Sequence, residues 1–160
     1  MPGNDNRQPA TRLRPFWVVL IASDFILFAP AAVFVGVGLA NGMSAGDVFA
    51  AMVAQLTAER LNLAMISVLS LAPVLLLVVI LAVGWRLGRF RETGGAVALG
   101  GSLGILAIIV AANLEFWPTY LPSLTYAGWP HGIELMLGPL IGAPIAMIIG
   151  MLLGHRLARR

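Results

Sequence analysis

Apolar residues in this chain gather into four long runs, and almost every charged residue falls between them. The runs extend from Phe16 to Ala40, Leu61 to Trp85, Ala96 to Leu114 and Ile133 to Leu153. A hydrocarbon core about 30 Å thick takes roughly 20 apolar residues in helix, so the pattern predicts four transmembrane helices. The first two runs are long enough to span with some tilt. The third is the shortest, with room to continue to Trp117. The expected fold is therefore an all-α, polytopic integral membrane protein, a single membrane domain over 1–160. It divides into a tail (1–15), spans at 16–40, 61–85, 96–114 and 133–153, connections at 41–60, 86–95 and 115–132, and a basic tail (154–160).

The first connection, 41–60, predicts a short amphipathic helix outside the membrane. Ser44 is placed as its N-cap, with Asp47 completing a capping box three residues on. Val48, Phe49, Met52, Val53 and Leu56 recur at helical spacing as one apolar face, to rest on the membrane interface or on the bundle. Nothing between Glu59 and Leu63 breaks a helix, so continuity into the second span is an open alternative. The connection 115–132 holds three prolines and five aromatics, which argues for an ordered loop rather than a regular helix. Phe116, Trp117, Tyr120, Tyr126 and Trp129 suit an aromatic belt at headgroup level; the alternative is a lid or a contact for another subunit.

Composition sharpens this picture. Of 160 residues, 59% are hydrophobic and 11% charged, against about a quarter charged in a soluble domain. A disordered chain, a disulfide scaffold and a soluble enzyme are thereby excluded. The chain has no cysteine, so thiolate chemistry and cysteine-ligated metal sites are excluded too. The net charge of +3 comes from ten arginines and no lysine. Arg7, Arg12 and Arg14 precede the first span, Arg86, Arg89 and Arg91 follow the second, and Arg156, Arg159 and Arg160 close the chain; only Arg60 falls on the opposite side. Basic residues in short loops are retained in the cytoplasm, so both termini are expected there, as an even number of crossings also requires. The expected location is a bacterial inner membrane, with the arginine clusters against anionic headgroups. No cytoplasmic segment is long enough to fold into a nucleic-acid-binding domain.

Within the spans, small residues recur every four positions at Gly138, Gly142, Ala146, Gly150 and Gly154, and again at Ala96, Gly100 and Gly104. Association in lipid depends on close backbone approach, which such strips permit. The strips predict right-handed crossings in which the third and fourth spans each bury a smooth face, against each other or across a subunit boundary. A groove along them would offer a slot for a lipid or a quinone; no other cofactor is expected. Pro30, Pro73, Pro139 and Pro144 each remove one helical hydrogen bond and predict kinks.

Asp24 is the one charged residue deep in a span, about 12 Å beyond Phe16 at 1.5 Å per residue. A carboxylate there costs on the order of 2.5 to 3.5 kcal/mol on insertion scales, so it is expected to face the protein interior with a partner. Ser102 lies at comparable depth, but no cation of this chain does. Either the carboxyl is protonated or another chain supplies its partner. Glu115, His131 and Glu134 bracket the aromatic connection as a candidate for a divalent metal, against helix capping or pairing with Arg60. His131 and His155 fall on opposite membrane faces and cannot share one haem. No nucleophile elbow, phosphate loop, dinucleotide fingerprint or zincin motif occurs.

Abundant packing features and sparse chemistry predict a non-catalytic subunit of a larger inner-membrane complex, joined to other membrane subunits or to itself through its small-residue strips. The alternative is a small homo-oligomeric transporter or channel with Asp24 as a proton or cation site. An enzyme acting through Glu115, His131 and Glu134 ranks third.

Overall fold

The computed structural model describes residues 15–56, 58, 62–121 and 132–160. Among them every regular element is helical: α1 (Pro15–Ala40), α2 (Ala45–Leu56), α3 (Leu63–Leu69), α4 (Ala72–Arg86), α5 (Gly94–Tyr120), α6 (Glu134–Leu137), a π-helical turn (Gly138–Gly142) and α7 (Ala143–Leu157). Four helical stretches, Pro15–Ala40, Leu63–Arg86, Gly94–Pro118 and Glu134–Leu157, are long and apolar enough to cross a membrane. Large apolar side chains such as Phe25, Val68, Leu75 and Leu152 are exposed around them, an arrangement that suits a lipid surround and not water.

The ends of α1 and α4 are set by glycine. Gly42 adopts φ 82° and Gly88 φ 71°, a left-handed conformation that glycine takes without a Cβ penalty. At the first, Met43 N donates to Gly38 O (3.1 Å) and Gly42 N to Leu39 O (3.0 Å); at the second, Arg89 N donates to Gly84 O (2.9 Å) and Gly88 N to Trp85 O (3.0 Å). Both are Schellman turns, which reverse the chain while satisfying terminal carbonyls.

Ser44 caps α2 by accepting from Asp47 N at 3.2 Å, while its hydroxyl donates to Asp47 Oδ2 at 2.7 Å. The carboxylate thus grips the serine hydroxyl instead of the cap backbone. The apolar face expected on this helix is only partly buried. Val48 lies against Gly38 of α1 and Met52 is half-buried, but Phe49, Val53 and Leu56 point outward.

Asn62 starts α3 as a separate helix, so α2 does not run on into the second span. Its Oδ1 accepts from Ala64 N (2.8 Å) and Met65 N (3.4 Å), while its Nδ2 donates to Leu56 O (2.7 Å) and Ala58 O (3.3 Å). One side chain therefore ties the end of α2 to the start of α3. Asn62→Ala is expected to lower stability by about 1 to 2 kcal/mol, read as a lower midpoint in thermal unfolding followed by circular dichroism.

Within the second span α3 gives way to α4 at Ser70 and Leu71, next to Pro73, where Leu71 N reaches Val68 O and Val74 N reaches Leu71 O, both at 3.0 Å. These tight i to i−3 bonds carry the chain past Pro73, which has no N–H to give and falls in the first turn of α4, where proline is tolerated. The third span does not end at Leu114, and residues 115–120 are not loop: α5 continues to Tyr120 through Pro118. Proline in this last turn costs one backbone bond, while Phe116 and Trp117 just before it are fully buried. Trp117 Nε1 donates to Asn113 Oδ1 at 2.8 Å, and its ring meets Phe34 edge-on at 4.8 Å. These two aromatics anchor the core instead of forming a surface belt; Tyr126 and Trp129 lie outside the described residues.

Helix α5 is the centre of the bundle. It runs alongside α1 in the same direction, with Pro15 beside Gly94 and Phe34 beside Trp117. Helix α7 runs against it. One core joins Val19, Ile26, Leu77, Leu81, Ile105 and Met147; a second joins Phe34, Val48, Leu63, Ile66, Trp117 and Leu135. The start of α1, the α4–α5 turn and the end of α7 share the arginine-rich end of the bundle, and α2 lies at the other.

Candidate functional site

The small-residue strips of the third and fourth spans face each other within the chain. A Cβ added at Gly100 would overlap the carbonyl of Gly150, and one at Gly150 the carbonyl of Gly100; Gly104 sits on Ala146 O and Gly154 on Ala96 O in the same way. Each step of four along α5 matches a step of four back along α7. The absent side chains let the two backbones touch, the geometry that replaces a hydrophobic drive in lipid. Farther along, Gly138 and Gly142 meet side chains instead, Ala112 Cβ at 3.0 Å and Ile108 Cγ2 at 3.1 Å.

Those two glycines bound the π-helical turn. Ala143 N donates to Gly138 O, five residues back, and Pro139 and Pro144 supply no N–H. Widening the turn by one residue accommodates the Pro144 ring against the preceding carbonyls. The helix therefore absorbs both prolines as a bulge, and Pro30 likewise lies inside α1 without ending it.

On its outer side the α5–α7 seam forms an open groove of about 770 Å³, flanked by Leu99, Leu103, Ile149, Leu153 and Leu157. Every lining side chain is apolar or absent. The groove suits an acyl chain; it has no side-chain donor for the carbonyl oxygens of a quinone.

Asp24 contradicts its expected placement. Its side chain is exposed, on the side of α1 away from Ile26, because two helical residues turn the chain by about 200°. It lines a groove of about 410 Å³ with Phe25, Phe28 and Ala32 of α1 and with Leu106 and Val110 of α5. No described residue gives its carboxyl a hydrogen bond or a cation. Ser102, at similar depth, is not part of this groove; it is 3% exposed, and its Oγ has no partner. Because a buried hydroxyl without a partner is a net cost, Ser102→Ala is expected to leave stability unchanged or raise it by about 1 kcal/mol, checked by thermal unfolding in detergent.

At the opposite end from the arginines, Glu115 is exposed on α5, and Glu134 opens α6 with its Oε2 accepting from Gly132 N at 3.1 Å. Glu134 thus acts on the backbone at a helix start, as an acid at that position should. His131 lies outside the described residues. Among those described, no three metal-ligating side chains cluster.

The arginine-rich end holds a contact that sequence reasoning missed. Thr93 Oγ1 lies 2.9 Å from His155 Nδ1, and the Phe90 ring stands edge-on to the imidazole at 6.3 Å. Sixty-two residues separate the bonded pair, so no local pattern could signal it.

The chain matches no family model, and no curated protein or solved structure shows significant similarity to it.

Proposed function

We propose that this chain is a small non-catalytic subunit of a larger assembly in a bacterial inner membrane, and that it docks through the α1–α5 flank around Asp24. The observation that carries this reading is a carboxyl exposed about a third of the way along an apolar span, with no partner among the described residues of its own chain. Lipid cannot solvate such a group, whereas a neighbouring transmembrane helix with a basic or hydrogen-bonding side chain at that depth can. The small-residue strips do not serve this contact, since α5 and α7 occupy each other's. Both termini are assigned to the cytoplasm, because Arg86, Arg89, Arg91, Arg156, Arg159 and Arg160 lie at one end of the bundle and short basic segments are retained there.

The same carboxyl favours one second reading, a homo-oligomeric transporter in which Asp24 of several copies faces a shared proton or cation path. Purification in a mild detergent, with identification of every retained chain, separates the two. Stoichiometric recovery of one or more different membrane proteins supports the subunit. A lone homo-oligomer with pH-dependent flux in proteoliposomes supports the transporter and overturns the first reading.

A further inference from the structure

The turn after α4 builds a pocket at the arginine-rich end. The Schellman turn at Gly88 folds Arg89 and Phe90 back towards the bundle. There the Phe90 ring lies on Gly84, so closely that any Cβ at that position would overlap it. Facing it is His155 in the last turn of α7, whose Nδ1 is engaged by the buried Thr93 hydroxyl at 2.9 Å. The hydrogen bond orients the imidazole and leaves Nε2 as its free ring nitrogen. Arg159 follows in the turn just past the end of α7, where its N–H donates to Arg156 O at 3.3 Å. Arg89, Phe90, His155 and Arg159 together line a half-open pocket of about 350 Å³, with both arginines exposed and the two rings half-buried.

Two guanidinium groups, one imidazole nitrogen and an aromatic wall make a receptor for a phosphate. Guanidinium forks match phosphate oxygens in a bidentate manner. Neither arginine is paired with a described carboxylate; Glu92, the nearest acid in sequence, is exposed and makes no ion pair with either. The pocket lies where spans end, at the level of lipid headgroups, and basic pockets between transmembrane helices hold anionic headgroups. An arginine that merely complemented a helix C-terminus would need no second arginine and no aromatic wall beside it. We propose that this pocket binds the phosphate of an anionic phospholipid, in the leaflet at the arginine-rich end.

The test uses the full chain in detergent, with lipid retention read by native mass spectrometry. The probes are phosphatidylglycerol, phosphatidylcholine and inorganic phosphate. The wild type should retain phosphatidylglycerol over phosphatidylcholine, and Arg89→Gln with Arg159→Gln should weaken that retention about 30-fold, at about tenfold per 1.4 kcal/mol and about 1 kcal/mol per arginine. Arg156→Gln with Arg160→Gln removes the same charge from the same end outside the pocket and should change retention less than threefold. Gly84→Ala, which displaces Phe90 and keeps both arginines, should weaken retention several-fold. Equal losses in the two double variants would reduce the effect to diffuse attraction and overturn the proposal, as would unchanged binding in Gly84→Ala. Displacement of the lipid by millimolar inorganic phosphate would assign the pocket to a free anion instead.

Discussion

Gly100→Ala and Gly150→Ala are each expected to destabilise the bundle by about 3 kcal/mol, the upper end of the range for overpacking, and Gly100→Leu to abolish the folded state. In most cores an added methyl is relieved by a neighbouring side chain changing rotamer. Here the added Cβ meets a backbone carbonyl of the facing helix, and relief requires the helices to separate. Separation would also open the matched contacts at Gly104 and Gly154, so the effect should spread along the seam. Gly36→Ala is the control: a Cβ there meets nothing within 4 Å, and alanine in an exposed helical position is expected to be neutral or to stabilise by about 0.5 to 1 kcal/mol. Thermal unfolding in detergent checks both. Because the seam lies within one chain, the losses should not depend on protein concentration. A Gly100 variant that keeps its unfolding midpoint and changes only its oligomeric state would show that the strips act between subunits.

Asp24→Leu is expected to act in opposite directions on the chain alone and on its assembly. Alone, the variant should be the more stable in a bilayer, because the wild-type carboxyl carries an insertion cost of about 2.5 to 3.5 kcal/mol that no contact within the chain offsets. In the cell, the same variant should lose its partner, with co-purification falling at least tenfold. Asp24→Asn discriminates between kinds of partner. An asparagine retains hydrogen bonding but not charge, so it should preserve assembly if the partner offers a hydrogen bond and lose it if the partner offers a cation. Undiminished co-purification of Asp24→Leu would remove the α1–α5 flank from the interface. Preserved assembly with lost pH-dependent flux would move the residue to a transport path.

Particular residues show how much was legible in advance. Ser44 and Asp47 announced the start of α2, since capping is a local matter of spacing and hydrogen-bond geometry. The proline-rich stretch from Glu115 misled, because Pro118 argues against a helix by itself while Trp117, bonded one turn back to Asn113 and packed on Phe34, which only folding brings to it, holds the last turn of α5 in place. The seam was half legible: a four-residue repeat of small side chains marks a face for close approach but does not name the helix that approaches. Asp24 was legible as costly but not as outward. In water a helix reveals its inner face by being apolar there and polar elsewhere; in lipid the bundle interior and the surroundings are alike apolar, so the side of α1 that carries Asp24 has no signature.

The chain's four long apolar stretches and the basic segments that flank them follow from the amino-acid sequence alone, because each is a local property measured against the thickness of a bilayer. Which faces meet, that α5 and α7 consume each other's glycines, that Asp24 looks outward and that Thr93 finds His155 were decided only by the tertiary structure. Helix pairing joins residues tens of positions apart through shape, and where solvent and interior share one polarity, shape is what remains to choose between faces.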